Sequence, residues 1–214
     1  MTRISPEMFR ATASNPVAWR QKAITLREAA ESLWDSFNSL FLKGDGHLLA
    51  KDKQSEVLDR FAERIHTSQL LYGLATETAL KARIIALDAT KIELRERKDE
   101  NGKVIDLQIH KIGVELGKDG HDLVKLADAA GVLNPTNTAL FPVESDFTTT
   151  RAILEHLTDC VRWSGRYPAP KKLSEIYIRD SSVPGRALGL YLRDWLDPFL
   201  DALLDESRPP PPSS

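Results

Sequence analysis

The sequence predicts an all-α protein: an up-down helical bundle with a small β-hairpin inserted at about residues 91–112 and an accessory helix at the C-terminal end. Two long apolar patterns predict the helices. Leu26, Ala30, Leu33, Phe37, Leu40 and Phe41 recur at steps of three and four, and Leu58, Phe61, Ile65, Leu70, Leu74, Leu80, Ile84 and Leu87 continue with helical period. A change of period predicts the hairpin. Ile92 and Leu94, then Ile105, Leu107 and Ile109, alternate with polar residues on either side of Asn101-Gly102.

The elements follow in order. Ser5-Pro6 starts a helix, with Ser5 as N-cap and Pro6 at the first helical position, and Asn15-Pro16 starts the next. Gly44 and Gly46 end that helix, and a second long helix from about Lys53 to Asp88 folds back on it. With Asn101-Gly102 as a two-residue turn, Leu94 pairs with Ile109, and Ile92, Leu94, Ile105, Leu107 and Ile109 share one face. A lone hairpin is marginal in water, so that face should pack on the helices. Gly120-His121-Asp122 opens a short helix that Gly131 closes. Another runs from about Ser145 to Ser164, where Gly165 and Pro168 stop it. Leu188, Leu192, Leu196, Phe199 and Leu203 mark the last helix, which Asp197-Pro198 should break or restart. Residues 1–208 read as a single domain, and residues 209–214 as a disordered Pro-rich tail.

Composition narrows the function classes. The chain has 214 residues, 42% hydrophobic and 28% charged, as a folded globular protein does. Lys plus Arg is 29 against 31 Asp plus Glu, a net charge of -2. That balance excludes a surface built wholly for nucleic acid and leaves room for a local basic patch. The single cysteine, Cys160, excludes an intrachain disulfide and fits a reducing, cytoplasmic setting. No window is apolar enough to span a membrane, and Met1 to Arg10 has no signal-peptide core. The histidines His47, His66, His110, His121 and His156 are isolated, so no metal site is expected. Gly113 and Gly117 lack the Lys-Ser/Thr of a phosphate loop, and no cofactor is expected.

Several residues carry possible chemistry, each beside a plainer reading. Arg162, Trp163, Arg166, Tyr167, Lys171 and Lys172 interleave cations with rings, and residues 151–193 hold eight basic residues against four acidic ones. Cations bind phosphates and rings stack on bases, the pattern of a single-stranded RNA contact. Equally, Trp163 and Tyr167 could close the end of the bundle. His121 is either a pocket residue or a helix-start residue. Glu77 and Lys81, spaced i,i+4, are either an inward carboxylate with its cation or a solvated pair. Arg151 and Glu155 have the same spacing. Asp194, Asp197, Asp201, Asp205 and Glu206 read as the wet face of the last helix, or as a partner for the basic segment.

Three motifs in order carry a family resemblance. They are Tyr72, Ala75, Glu77, Leu80, Lys81 and Ala82 on the second long helix; Gly120-His121-Asp122-Leu123 with Leu126; and Arg162-Trp163-Ser164-Gly165-Arg166-Tyr167-Pro168. Over roughly residues 54–168 the chain resembles the HEPN superfamily, in its His-Asp-Leu branch. The resemblance implies a four- or five-helix bundle and a homodimer. It also implies a role in binding or regulating RNA or a nucleotide, or in acting through a partner protein encoded nearby, in bacterial defence or toxin–antitoxin-type systems. Catalytic members of the superfamily carry an Arg and, four to six residues on, a His. Arg151 and His156 match that spacing, with Ala152 where the pattern has a polar residue, and Arg60 and His66 match it too. The alternatives are therefore a metal-independent ribonuclease using Arg151 and His156 in a homodimer that brings two copies together, with Arg holding the phosphate and His moving the proton, or a non-catalytic interaction scaffold. On the binding reading, His121, Glu77 and the basic residues from Arg162 onward should form neighbouring walls of one anion-accepting cleft.

Overall fold

Ser5 begins the first helix, α1 (Pro6–Ala13), in the expected way: its Oγ accepts from the Met8 N–H at 3.2 Å, and Pro6 occupies the first turn, where no N–H partner is needed. The structure, a computed structural model, describes residues 4–42, 51–138, 140–164 and 185–205. Asn15 Oδ1 accepts from Val17 N at the start of α2 (Pro16–Leu42), and α3 (Lys51–Leu87) runs antiparallel to it. Ser68 Oγ donates to the Ala30 carbonyl at 2.9 Å, and Arg64 Nη1 donates to Ser36 Oγ at 3.3 Å. Ala23 and Ala30 are fully buried, and such small residues let the two helices approach closely. Gly44 and Gly46 lie outside the described residues.

α3 is the central helix. From Ser68 to Ile85 nearly every residue is buried or half-buried, polar ones included. Helices α5 (Leu123–Ala129), α6 (Glu144–Asp159) and α7 (Gly185–Leu204) surround it, and Leu80, Leu126, Leu157 and Leu196 meet in one core cluster. Gly73 sits where α3 meets α6. A Cβ there would lie 2.5 Å from Val161 Cγ2 and 3.2 Å from the Leu157 carbonyl oxygen, so the close packing depends on its absence. The molecule is mostly helical with one small antiparallel sheet, and among the described residues no helix is long and apolar enough to cross a membrane.

β1 (Ile92–Lys98) and β2 (Val104–Ile112) form the hairpin, and Leu94 pairs with Ile109 as the alternation predicts. The turn differs from the expected one. Gly102 N donates to the Asp99 carbonyl, Asp99 Oδ1 accepts from Asn101 N and Lys103 N, and Gly102 alone in the turn has positive φ, at 77°. A two-residue type I′ turn needs positive φ at both central residues. Asn101 does not adopt it, and the chain instead makes a longer loop with glycine in the left-handed position. Ile105 falls in a register shift between Arg97 and Lys98 and is 55% exposed, so it does not join the apolar face. A second shift leaves His110 as an extra residue. It lets Ile109 and Ile112, three apart, both turn toward the helices, where Ile112 is fully buried. Gly113 (φ 69°) then reverses the chain into a third short strand, β3 (Val114–Glu115), and one helical turn, α4 (Leu116–Asp119), neither of which the pattern predicts.

Asp122 caps α5 through a bond from Lys125 N, and Gly131 (φ 66°) closes that segment, as expected. α6 continues into a π-helical turn over Cys160–Ser164. Gly165 and Pro168, expected to stop it, lie outside the described residues, as do Glu206 and the proline tail.

α7 corrects one expectation: it runs unbroken through Pro198. A proline removes one backbone bond, here to the Asp194 carbonyl, but Asp194 and Pro198 are both exposed, so water can serve that carbonyl. On the other side, Leu192, Leu196, Phe199, Leu200 and Leu203 hold the helix in the core. Its acidic run is more than a wet face. Arg27 of α2 bonds Asp201 at 2.5 Å, and Arg193 bonds Asp197 and, back on α2, Asp35, both at 3.0 Å. Beneath this ion cluster the Tyr72 ring is fully buried against Trp34, and its hydroxyl has no hydrogen-bond partner among the described residues. Burial, together with nearby Asp197, pushes the phenol's pKa well up and keeps it neutral. Tyr72→Phe should therefore stabilise the fold by about 1 kcal/mol in urea unfolding, because a buried unpaired hydroxyl is a cost. A loss of similar size would reveal a bonded hydroxyl.

Candidate functional site

Two buried polar side chains of α3, Glu77 and Lys81, centre the site. Glu77 and Lys81 lie one helical turn apart and bond at 2.5 Å, with side-chain exposures of only 10% and 7%. Glu77 Oε2 also meets His121 Nδ1 at 2.8 Å. His121 reaches it from the turn between α4 and α5, just before the cap Asp122. Burial opposes the charge on Glu77, but the bonds from His121 and Lys81 outweigh it and hold the carboxyl below its usual range. An ionised carboxylate only accepts hydrogen bonds, so Nδ1 carries the proton. His121 is 44% exposed at its side chain, and no described residue bonds its Nε2.

Arg162 joins the site from the π-helical turn. Its Nη2 donates to Asp122 Oδ2 at 3.2 Å, while Asp122 Oδ1 caps α5. Thr158 Oγ1 accepts from Leu123 N at 3.0 Å and donates to Leu154 O, which ties the start of α5 to the end of α6. Lys125 pairs with Asp119 at 2.6 Å. Around His121 the carboxylates of Glu77, Asp119 and Asp122 thus balance the cations of Lys81, Lys125 and Arg162. The imidazole and the exposed guanidinium are the groups left to meet a ligand.

Of the residues expected to form a cleft, His121 meets Glu77 directly, and Arg162 bonds Asp122, the residue that follows His121. The backbone of Trp163 belongs to the same turn; its side chain, with Arg166, Tyr167, Lys171 and Lys172, lies outside the described residues. Arg151 and His156 are not brought together within the chain. Five residues apart on a helix they point about 140° from one another. Arg151 pairs with Glu155 at 3.5 Å on the surface, and His156 turns inward, its Nε2 3.2 Å from Gln69 Oε1 and 3.6 Å from Cys160 Sγ. Cys160 itself is buried. Sequence reasoning missed Gln69, which partners His156, and the bridging role of Asp122. A polar residue on the hidden side of a central helix leaves no periodic signal. Among the described residues no group of three or more His, Cys, Asp or Glu could hold a metal ion. An open apolar hollow of about 230 Å³, lined by Phe9, Trp19, Lys22 and Ile109 among others, shares no residue with this site.

Glu77 gives a pH dependence with a definite sign. A folded-state pKa below the unfolded value of 4.5 contributes stability that is present above that pH and is lost as pH falls through the lower, folded value. Urea unfolding of the native chain and of Glu77→Gln should therefore differ most near neutrality and converge in acid. A gap that stays constant down to strong acid would show that the carboxyl is unshifted.

Compared with protein-family models, curated proteins and solved structures, the chain matches none.

Proposed function

We propose that the chain is a HEPN-like RNA- or nucleotide-binding regulatory protein, acting as a homodimer and with a partner protein in a bacterial defence or toxin–antitoxin-type system, and that the ligand sits on the face formed by His121 and Arg162. The observation that carries the ligand site is a half-exposed imidazole held by a buried carboxylate at 2.8 Å, with an arginine bonded to the next residue, Asp122. A phosphate can take the Arg162 guanidinium from Asp122, whose second oxygen keeps the helix cap. The basic and aromatic residues that follow Arg162 in sequence supply further cations and stacking rings. The resemblance at Glu77, His121-Asp122-Leu123 and Arg162-Trp163 supports the family, the dimer and the setting.

The test is binding of labelled single-stranded RNA by fluorescence anisotropy. Affinity should fall as salt rises, and Arg162→Ala should weaken it about tenfold at low salt. Equal binding by Arg162→Ala would remove this site from the reading. Absence of RNA or nucleotide binding at low salt would leave an interaction scaffold instead.

A further inference from the structure

We infer that His121 makes the site selective for ribose over deoxyribose, by accepting a hydrogen bond from a 2′-hydroxyl while Arg162 holds the adjacent phosphate. The inference rests on the ligand site proposed above and adds which sugar it takes.

The geometry divides the labour between the two side chains. Glu77 is ionised, and Lys81 at 2.5 Å keeps it so in a nearly dry position. It can only accept, so it fixes the single proton of a neutral imidazole on Nδ1. In that neutral form Nε2 has a lone pair and no N–H. A phosphate oxygen is itself an acceptor and gains nothing there. It goes to Arg162, which carries donors only. What suits Nε2 is a ligand O–H or N–H. In a nucleotide chain the donor next to every phosphate is the 2′-hydroxyl, the group that separates RNA from DNA. A deoxyribose placed there would cover the lone pair with C–H and leave an acceptor without a partner. On this account Glu77 is a positioning residue, because it acts only by setting which nitrogen of His121 is protonated.

The experiment compares three labelled oligouridines of one length at low salt and neutral pH: ribose, deoxyribose and 2′-fluoro. Fluorine nearly matches the hydroxyl in size and keeps an RNA-like sugar, but it donates no hydrogen bond. RNA should bind about fivefold more tightly than either of the others, the value of one hydrogen bond to a positioned acceptor. His121→Ala should bring the three strands to one affinity, whereas a purely structural role would weaken all three and keep their ratio. Equal affinity for RNA and the 2′-fluoro strand would overturn the inference and leave the phosphate site standing. A preference that survives in His121→Ala would overturn it as well. Failure of all three strands to bind would instead count against the ligand site itself.

Discussion

Lys81→Met should destabilise the fold by about 3–5 kcal/mol, although methionine nearly preserves the length and bulk of the side chain. The change leaves the Glu77 carboxylate in a position where little water reaches it, with His121 as its remaining partner. The cost is that of an uncompensated buried charge, and it greatly exceeds the few tenths of a kcal/mol an exposed i,i+4 pair contributes. Urea unfolding at neutral pH reads it directly, and a loss below about 1 kcal/mol would mean that the pair is solvated. A second variant separates the charge from the packing. Glu77→Leu combined with Lys81→Met removes both ions at once and should regain most of the lost stability. The double variant should still lose the RNA preference, because nothing then fixes the proton of His121 on Nδ1.

Gly73→Ala should cost about 1–3 kcal/mol, as overpacking of a tight core does. One methyl group would press on Val161 Cγ2 at 2.5 Å and approach the Leu157 carbonyl at 3.2 Å. The valine can be shortened and the backbone cannot. Val161→Ala in the Gly73→Ala background should therefore restore part of the stability, whereas Val161→Ala alone should lower it. Additive losses in the double variant would show that the two positions do not touch.

The fold was legible wherever one face of an element is wet. α1, α2, α6 and the hairpin pairing of Leu94 with Ile109 all follow from apolar spacing and caps. The errors came where a local rule met a stronger tertiary one. Pro198 should end a helix, yet the core residues around it hold α7 straight through. Asn101-Gly102 suits a two-residue turn, yet Asp99 collects the turn's N–H groups and draws the loop out. The site was half legible. Glu77, His121 and Arg162 were each singled out, but spacing on one helix cannot show that Glu77 and Lys81 face inward, because α3 is buried on nearly every side. Arg151 and His156 fit a motif's spacing, and within one chain the helix turns the two side chains apart.

The surplus residue at His110 has a consequence for how the chain tolerates changes of length. Along β2, odd-numbered Ile109 leans toward the helices, and after His110 the parity switches, so that even-numbered Ile112 goes inside. Deleting one residue between Ile109 and Ile112 would leave the two isoleucines two apart, on one face by plain alternation, so the strand would lose its bulge and keep Ile112 inside. Added or missing residues in the loop from Asp99 to Lys103 leave that count untouched, which makes the tip of the hairpin the place for a tag or graft.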